Sequence, residues 1–171
     1  MSEKARPVVG IVMGSDSDLA VMSEAAETLK KFGVPFEIEV SSAHRSPVRT
    51  AEYARTAMAR GLKVMIIAAG GAAHLGGVIA AETILPVIGV PIPSTSLAGL
   101  DSLLSIVQMP GGVPVACVSI GKPGAVNAAI LAVQILATAD AALARKLAEY
   151  KEDLARGVAE KSAKVKQAFP A

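Results

Sequence analysis

Five short apolar runs alternate along the chain with longer segments of mixed polarity. The runs are PVVGIVM (residues 7–13), FEIEVS (36–41), KVMIIAA (63–69), PVIGV (86–90) and VPVACVS (113–119). Such apolar runs, rich in valine and isoleucine, are typical of strands that are covered on both faces. The pattern therefore predicts the five strands of a parallel sheet.

The segments between these runs have the length and the apolar spacing of helices. They cover residues 18–32, 47–60, 74–83, 101–108 and 125–139. The alternation of strand and helix predicts an α/β fold in which five β/α units surround one sheet. No repeat, low-complexity stretch or linker interrupts the pattern, so we predict a single domain over residues 1–171 with its core at about 8–139.

The last segment, residues 140–169, carries a narrow apolar stripe among lysine, glutamate and arginine residues. An apolar residue recurs there every three or four positions, which predicts an extra C-terminal helix. The stripe consists of Leu143, Leu147, Tyr150, Leu154 and Val158. This helix either lies on its own domain or packs on a neighbouring subunit.

The distribution of charge favours packing on a neighbouring subunit. Between Val64 and Gly121 the only Asp, Glu, Lys or Arg residues are Glu82 and Asp101, so this half of the domain has few groups to present to water. Soluble monomers rarely expose such large apolar patches, and burial between symmetric copies is the usual remedy. We therefore predict an obligate homo-oligomer.

Composition argues against several kinds of partner and location. The formal net charge is only +2, so no strong field favours nucleic acid or an anionic membrane surface. The longest apolar segment, AVNAAILAVQILATAD, contains Asn127 and Gln134 and falls short of the roughly 20 apolar residues of a membrane helix. The lone Cys117 predicts a buried thiol in a reducing compartment, and the N-terminus lacks the apolar core of a signal peptide. We expect a cytoplasmic protein.

The loops that follow the strands hold the candidate site, because ligands of an open parallel sheet bind beyond the carboxyl ends of its strands. After the first strand comes MGSDSD, where Gly14 suits a turn and Ser15, Ser17 and Asp18 suit a phosphate or a ribose. The same residues also suit plain helix capping. The loop has neither the Gly-Lys-Ser/Thr ending of a Walker loop nor a Gly-x-Gly-x-x-Gly dinucleotide pattern.

The second loop, SSAHRSP, places a titratable and a cationic side chain beside a predicted helix start. Ser46 suits the N-cap and Pro47 the first turn, which puts His44 and Arg45 just before the helix. Arginine can bind a phosphate through two N–H groups, and histidine can exchange a proton near neutral pH. The sequence therefore predicts acid/base chemistry on an anionic ligand at this loop.

The third loop, AAGGAAHLGG, contains four glycines and His74, which is the only other histidine. Glycine lets the backbone approach a small ligand and leaves its N–H groups unobstructed. Because both histidines fall on ligand-edge loops, a shared site is favoured over two unrelated structural roles. The later loops, with PIPSTSLAG, Lys122 and Asn127, are either plain connections or additional polar contacts.

Other kinds of site fit less well. Two histidines without nearby cysteines or a carboxylate pair make a poor zinc site, so we predict no metal. A serine hydrolase would need a Gly-x-Ser-x-Gly elbow, which the chain lacks. A non-catalytic nucleotide-binding module on the same fold remains an alternative.

Together these motifs resemble the PurE family of purine biosynthesis. VMGSDSD, SAHRSP, GGAAHL, LDSLLSIVQMPGGVPV and NAAILAVQILA stand in the family's order and spacing, and the resemblance covers roughly residues 8–139. It implies a flavodoxin-like three-layer α/β/α sandwich, assembled as an octamer with active sites between subunits. The AHR and GGAAHL sequences resemble the bacterial branch, which moves a carboxylate from the exocyclic nitrogen of 5-(carboxyamino)imidazole ribonucleotide to the ring carbon without a cofactor.

The resemblance also implies roles for individual residues of this chain. His44 matches the family's acid/base, while the ribose and phosphate contacts match Ser15, Asp18 and Arg45. Two other matching positions, Ser42 and Ala43, lie on the loop that lines the pocket. The loop that closes over the imidazole and the migrating carboxylate matches Gly70, Gly71, His74 and Leu75. Direct carboxylation of aminoimidazole ribonucleotide with carbon dioxide is the alternative reaction, because that branch uses similar loops.

One position departs from the family pattern. The family's third loop usually reads AHLPG, whereas here Gly76 stands in the place of the proline. Proline fixes φ and restricts the unfolded chain, so glycine predicts a looser loop.

Overall fold

The computed structural model describes residues 6–169, which form five strands and six helices. The strands are β1 (Val9–Met13), β2 (Phe36–Val40), β3 (Val64–Gly70), β4 (Val87–Ile92) and β5 (Ala116–Cys117). The helices are α1 (Leu19–Phe32), α2 (Pro47–Arg60), α3 (Leu75–Glu82), α4 (Leu100–Val107), α5 (Lys122–Ala137) and α6 (Ala141–Ala168), and a short 3₁₀ turn (Asp16–Asp18) precedes α1.

The strands form one parallel sheet in the order β2-β1-β3-β4-β5. This is the flavodoxin-like order, in which the crossovers reverse direction between β1 and β3. One apolar layer joins the sheet to α1 and α5, for example through Leu29 and Ala132. The other joins it to α2, α3 and α4, for example through Ala57, Ile79 and Ile106. The predicted three-layer α/β/α sandwich is therefore confirmed.

Coverage on both faces holds only for the central strands. Every residue of β1 is buried, and β3 and β4 are buried except at Gly70. In β2, Ile38 is 41% exposed and Val40 is 40% exposed, so the prediction was wrong for this strand. The reason is topological, since β2 lies at the sheet edge and alternates apolar residues with Glu37 and Glu39.

The fifth strand is much shorter than predicted. Only Ala116 and Cys117 pair with β4, instead of the whole stretch 113–119. Pro114 has no N–H to donate to a ladder, and Gly112 has φ of 97°, which belongs to a turn. Cys117 is consequently only partly buried at the sheet edge, where it packs against the core, so the prediction of a buried thiol holds in part.

The predicted helices agree with the structure, apart from small shifts at their ends. The bounds of α2 are those predicted, because Pro47 occupies its first turn and Gly61, with φ of 102°, ends it. The largest shift is in α5, which begins at Lys122 rather than Ala125, since Pro123 fits a first helical turn.

The C-terminal helix α6 begins where the sequence predicted. The Asp140 side chain accepts hydrogen bonds from the N–H groups of Ala142 and Leu143, which caps the helix. Leu143, Leu147 and Tyr150 pack against the core, whereas the later stripe residues Leu154 and Val158 are exposed. Within residues 6–169, no helix has the length and apolar character to cross a membrane.

Candidate active site

A cavity of about 340 Å³ lies at the carboxyl ends of the first four strands. Its walls come from the loops that follow β1, β2, β3 and β4, as expected for an open parallel sheet. Nine of the sequence-predicted site residues line it, namely Ser15, Asp18, Ser42, Ala43, His44, Arg45, Gly70, His74 and Leu75. Gly71 does not line the cavity but lies directly beside Gly70 in the same loop.

The loop after β1 is fixed by reciprocal hydrogen bonds. The Ser15 N–H donates to Asp18 Oδ2 over 3.2 Å, and the Ser17 N–H donates to Ser15 Oγ over 3.3 Å, which forms a capping box. The Gly14 N–H donates to the carbonyl oxygen of Ala68 in β3 over 3.0 Å. Capping and ligand binding are therefore compatible here, since the capping box holds the serine hydroxyls at the cavity wall.

Asp18 is a buried carboxylate on this wall. It is 5% exposed, and burial raises its pKa above the ordinary value, although the Ser15 N–H and the Ser17 hydroxyl counteract the rise. No described cation pairs with it. A buried, unpaired carboxylate at the cavity can accept hydrogen bonds from ligand hydroxyl groups.

Arg45 reaches across the cavity mouth from the loop after β2. Its Nη2 donates to the carbonyl oxygen of Gly14 over 3.1 Å, and its Nε lies 3.4 Å from Ser42 Oγ. The guanidinium is exposed and pairs with no described carboxylate, so it can bind an anionic ligand. Ser46 begins α2 without capping it, because its hydroxyl bonds to the backbone of Ser42 instead.

The two histidines meet inside the cavity. His44 Nε2 lies 2.8 Å from His74 Nδ1, and the ring planes cross at 82° with their centroids 5.0 Å apart. One nitrogen must donate and the other accept, so the pair holds one proton at this contact. Both rings are exposed to the cavity, which leaves His44 free to exchange a proton with a ligand.

The loop after β3 packs tightly against the loop after β4. A Cβ on Gly70 would lie 1.9 Å from Ser94 Oγ, so any side chain at position 70 would force Ser94 to move. Gly71 adopts φ of 59°, which also favours glycine. The two adjacent glycines thus bring the backbone of this loop to the cavity wall.

Five lining residues are additional to the nine predicted site residues, although the sequence had already named Ser17 as a hydroxyl donor and Gly14 as a turn residue. The sequence also gave two polar residues a possible role that their position does not support. The additional lining residues are Gly14, Ser17, Ala69, Ala72 and Ser94. The signal for Ser94 was its position just after the fourth strand. Lys122 pairs with Glu24, Asn127 bonds to Ser119, and neither lines the cavity.

Comparison with known proteins identifies the family. The family model described as AIR carboxylase matches residues 8–157. The chain belongs to the AIR carboxylase family. Two relatives within it, both named N5-carboxyaminoimidazole ribonucleotide mutase, come from Pyrococcus horikoshii and Bacillus subtilis. The first is 57% identical over 95% of this chain and 90% of its own, and the second is 59% identical over 92% and 97%.

Solved structures from the AIR carboxylase family share the fold. Treponema denticola PurE is 32% identical and superposes with a TM-score of 0.84, covering 94% of this chain and 99% of its own. A variant of PurE2 from the same organism gives a TM-score of 0.85. The resemblance to PurE that the sequence motifs indicated is therefore confirmed.

Proposed function

We propose that this chain is an isomerase of purine biosynthesis that converts 5-(carboxyamino)imidazole ribonucleotide into 4-carboxy-5-aminoimidazole ribonucleotide. The observation that carries the proposal is the His44–His74 pair, which shares a cavity with the unpaired guanidinium of Arg45. A proton-exchanging group and an anion-binding group are what this nucleotide substrate requires. The names of the relatives, at 57% and 59% identity, give the same reaction.

The reaction begins with a proton transfer to the exocyclic nitrogen. His44, as the general acid, gives its proton to the carbamate nitrogen, the N–C bond breaks, and its electron pair stays on nitrogen. Carbon dioxide and aminoimidazole ribonucleotide result. General acid help of this kind is worth roughly 100- to 10,000-fold in rate.

The second half of the reaction returns the proton. The enamine-like ring carbon attacks carbon dioxide, forming the new C–C bond, and His44 then removes the proton from that carbon to restore the aromatic ring. Atoms and charge balance without an oxidant, a reductant or ATP, so the chemistry calls for no cofactor. A small cavity that retains the carbon dioxide makes its recapture effectively intramolecular.

Different walls of the cavity suit different parts of the substrate. Arg45 and the hydroxyl groups of Ser15 and Ser17 surround one end and suit the phosphate, while the buried carboxylate of Asp18 suits the ribose hydroxyls. His74 holds the His44 ring through their hydrogen bond, and we assign it a positioning role rather than proton transfer.

We also propose a homo-octamer. Ile84 is 86% exposed and Leu97 is 59% exposed, and both lie in the half of the domain that is almost free of charge. On the far part of α6, Val158 is 67% exposed. Burial of these surfaces between copies supports an oligomer in which the far part of α6 packs on a neighbouring subunit. Such an enzyme of nucleotide metabolism would act in the cytoplasm.

Direct carboxylation of aminoimidazole ribonucleotide is the second candidate, because the matching family model is described as AIR carboxylase. The test measures conversion of 5-(carboxyamino)imidazole ribonucleotide without ATP or metal, beside aminoimidazole ribonucleotide plus bicarbonate, for wild type and His44→Asn. Fast isomerisation that the substitution abolishes supports the mutase. Turnover from aminoimidazole ribonucleotide alone favours the carboxylase, and no turnover in either assay favours a binding module.

A further inference from the structure

The loop that follows β4 places one hydroxyl group in the cavity, and the proposed mechanism assigns it no role. Ser94 lines the cavity and lies against Gly70. Its backbone N–H donates to the carbonyl oxygen of Ile92, the last residue of β4, over 3.0 Å. Ser102, which is fully buried, places its hydroxyl 3.0 Å from the same carbonyl oxygen. Ser94 is thus tied to the rigid end of a central strand.

The side chain of Ser94 has a defined position but no protein partner. Its Oγ occupies the space that a side chain at position 70 would need, 1.9 Å from where a Gly70 Cβ would stand. Among residues 6–169 the Ser94 hydroxyl forms no hydrogen bond, whereas the next hydroxyl in the loop, that of Thr95, donates to Asp101 over 2.6 Å. A positioned hydroxyl without a partner on a cavity wall is available to a ligand.

Backbone N–H groups near Ser94 are also available. Those of Gly71 and Ala72 donate to no acceptor in the described part of the chain, and Ala72 lines the cavity. This corner contains no carboxylate among its lining residues, because Asp18 belongs to the loop after β1. Hydroxyl and N–H donors without an opposing carboxylate suit an anionic group of the ligand.

The sheet separates this corner from the phosphate-binding end. β4 lies two strands away from β1 in the order β1-β3-β4, which is roughly 10 Å at the usual strand spacing. Arg45, Ser15 and Ser17 lie on the loops after β1 and β2, whereas His74 follows β3, the strand between β1 and β4. An anionic group bound at Ser94 is therefore distinct from the phosphate and lies on the His74 side of the cavity.

We propose that Ser94 is a specificity-determining residue whose hydroxyl donates a hydrogen bond to the substrate's migrating carboxylate. The inference rests on the proposed function, since it assigns a contact within that same site. Only the carboxylated nucleotides carry this group, so Ser94 distinguishes them from aminoimidazole ribonucleotide. Gly70 supports the contact, because any larger residue there would displace the Ser94 hydroxyl.

The test compares the binding of two ligands to wild type and Ser94→Ala by calorimetry. The ligands are 4-carboxy-5-aminoimidazole ribonucleotide and aminoimidazole ribonucleotide, which differ only in the carboxylate. Because a hydrogen bond to a charged group is lost, we expect Kd for the carboxylated ligand to rise about 10- to 100-fold. Kd for the other ligand stays unchanged.

Ser96→Ala is the matched control, since Ser96 is an exposed serine of the same loop that does not line the cavity. Thermal unfolding of both variants, with melting temperatures equal to that of wild type, shows that the loop change leaves the fold intact. If Ser94→Ala weakens the binding of both ligands equally, or of neither, the assignment of Ser94 is overturned. These outcomes differ from a failure of the proposed function, in which the wild-type protein itself would lack isomerase activity.

Discussion

The hydroxyl groups of Ser41 and Thr50 lie 2.7 Å apart, buried beneath the loop that carries His44 and Arg45. Ser41 follows β2, and Thr50 is in the first turns of α2, where its hydroxyl also lies 3.1 Å from the carbonyl oxygen of Ser46. The pair joins the two ends of the loop between strand and helix. It therefore fixes the path of the backbone from which the His44 side chain projects.

Replacing Thr50 with valine tests this support. Valine has the shape of threonine but cannot hydrogen-bond, so Ser41 Oγ would be left buried without its partner. We expect the free energy of unfolding to fall by about 1–3 kcal/mol. We also expect a lower kcat, because misplacing a catalytic group by about 1 Å can cost on the order of 100-fold.

The control for that substitution is Thr28→Val. Thr28 is also a buried helical threonine, but its hydroxyl bonds only to the carbonyl oxygen of Glu24 in α1, remote from the cavity lining. We expect it to alter stability and leave kcat unchanged. An unchanged kcat for Thr50→Val, or an equal loss in both variants, would show that the hydroxyl pair does not position the loop.

Substituting each histidine separately distinguishes the two roles. His44→Asn should lower the isomerisation rate roughly 100- to 10,000-fold, because the proton donor is removed. His74→Asn keeps a group that can hydrogen-bond to His44, so we expect a distinctly smaller loss. Steady-state kinetics with 5-(carboxyamino)imidazole ribonucleotide measure both, and equal losses would show that His74 also transfers protons.

The fold was predictable from the chain as far as local patterns determine it. Buried strands such as β3 and capped helices such as α2 follow from apolar runs and from Pro47 and Gly61. The edge position of β2 and the two-residue length of β5 depend on sheet order, which local patterns do not contain. Predictions failed where tertiary position, rather than local sequence, determines exposure.

The same reasoning applies to the cavity. The histidines and Arg45 were found because side chains of these types, placed at strand ends, indicate proton exchange and anion binding. Ser94 was not assigned to the site, because its approach to the cavity depends on Gly70, 24 positions earlier in the chain. Its position after the fourth strand places Ser94 at the ligand edge, but the loop also contains Thr95 and Ser96, and nothing local distinguishes Ser94 from them.

Gly76→Pro tests whether the departure from the family pattern costs stability. Gly76 is the second residue of α3, where a backbone N–H has no helical acceptor, and an added Cβ would make ordinary contact with Val115 at 3.6 Å. Restricting the unfolded chain should stabilise the fold by about 0.4–1 kcal/mol. We expect a higher melting temperature and a changed KM from a stiffer loop.

Gly77→Ala is the comparison for that change, since its Cβ would lie 3.2 Å from Met109, which is tighter than ordinary contact. It should gain less stability than Gly76→Pro. If the melting temperature and KM of Gly76→Pro both equal those of wild type, the glycine does not loosen the loop.

Asp18→Asn separates the effect of the buried carboxylate on substrate binding from its effect on the stability of the fold. Burial raises the pKa of Asp18, so the neutral acid is favoured in the folded state. Its contribution to stability is present below the unfolded value of 3.8 and is lost as pH rises through the folded pKa. The neutral asparagine avoids that loss, so the variant should be more stable than wild type at pH 7, with the difference shrinking at acidic pH.

Denaturant unfolding of wild type and Asp18→Asn across pH measures the effect, with Glu52→Gln as the control because Glu52 is an exposed carboxylate of α2 that does not line the cavity. The asparagine retains an oxygen for the Ser15 N–H but loses the charge that suits ribose hydroxyls, so KM for the nucleotide should rise. A variant that is less stable at neutral pH would mean that the carboxylate supports the loop. Stability gained while affinity is lost would instead identify Asp18 as a residue retained for binding, at a cost to the fold.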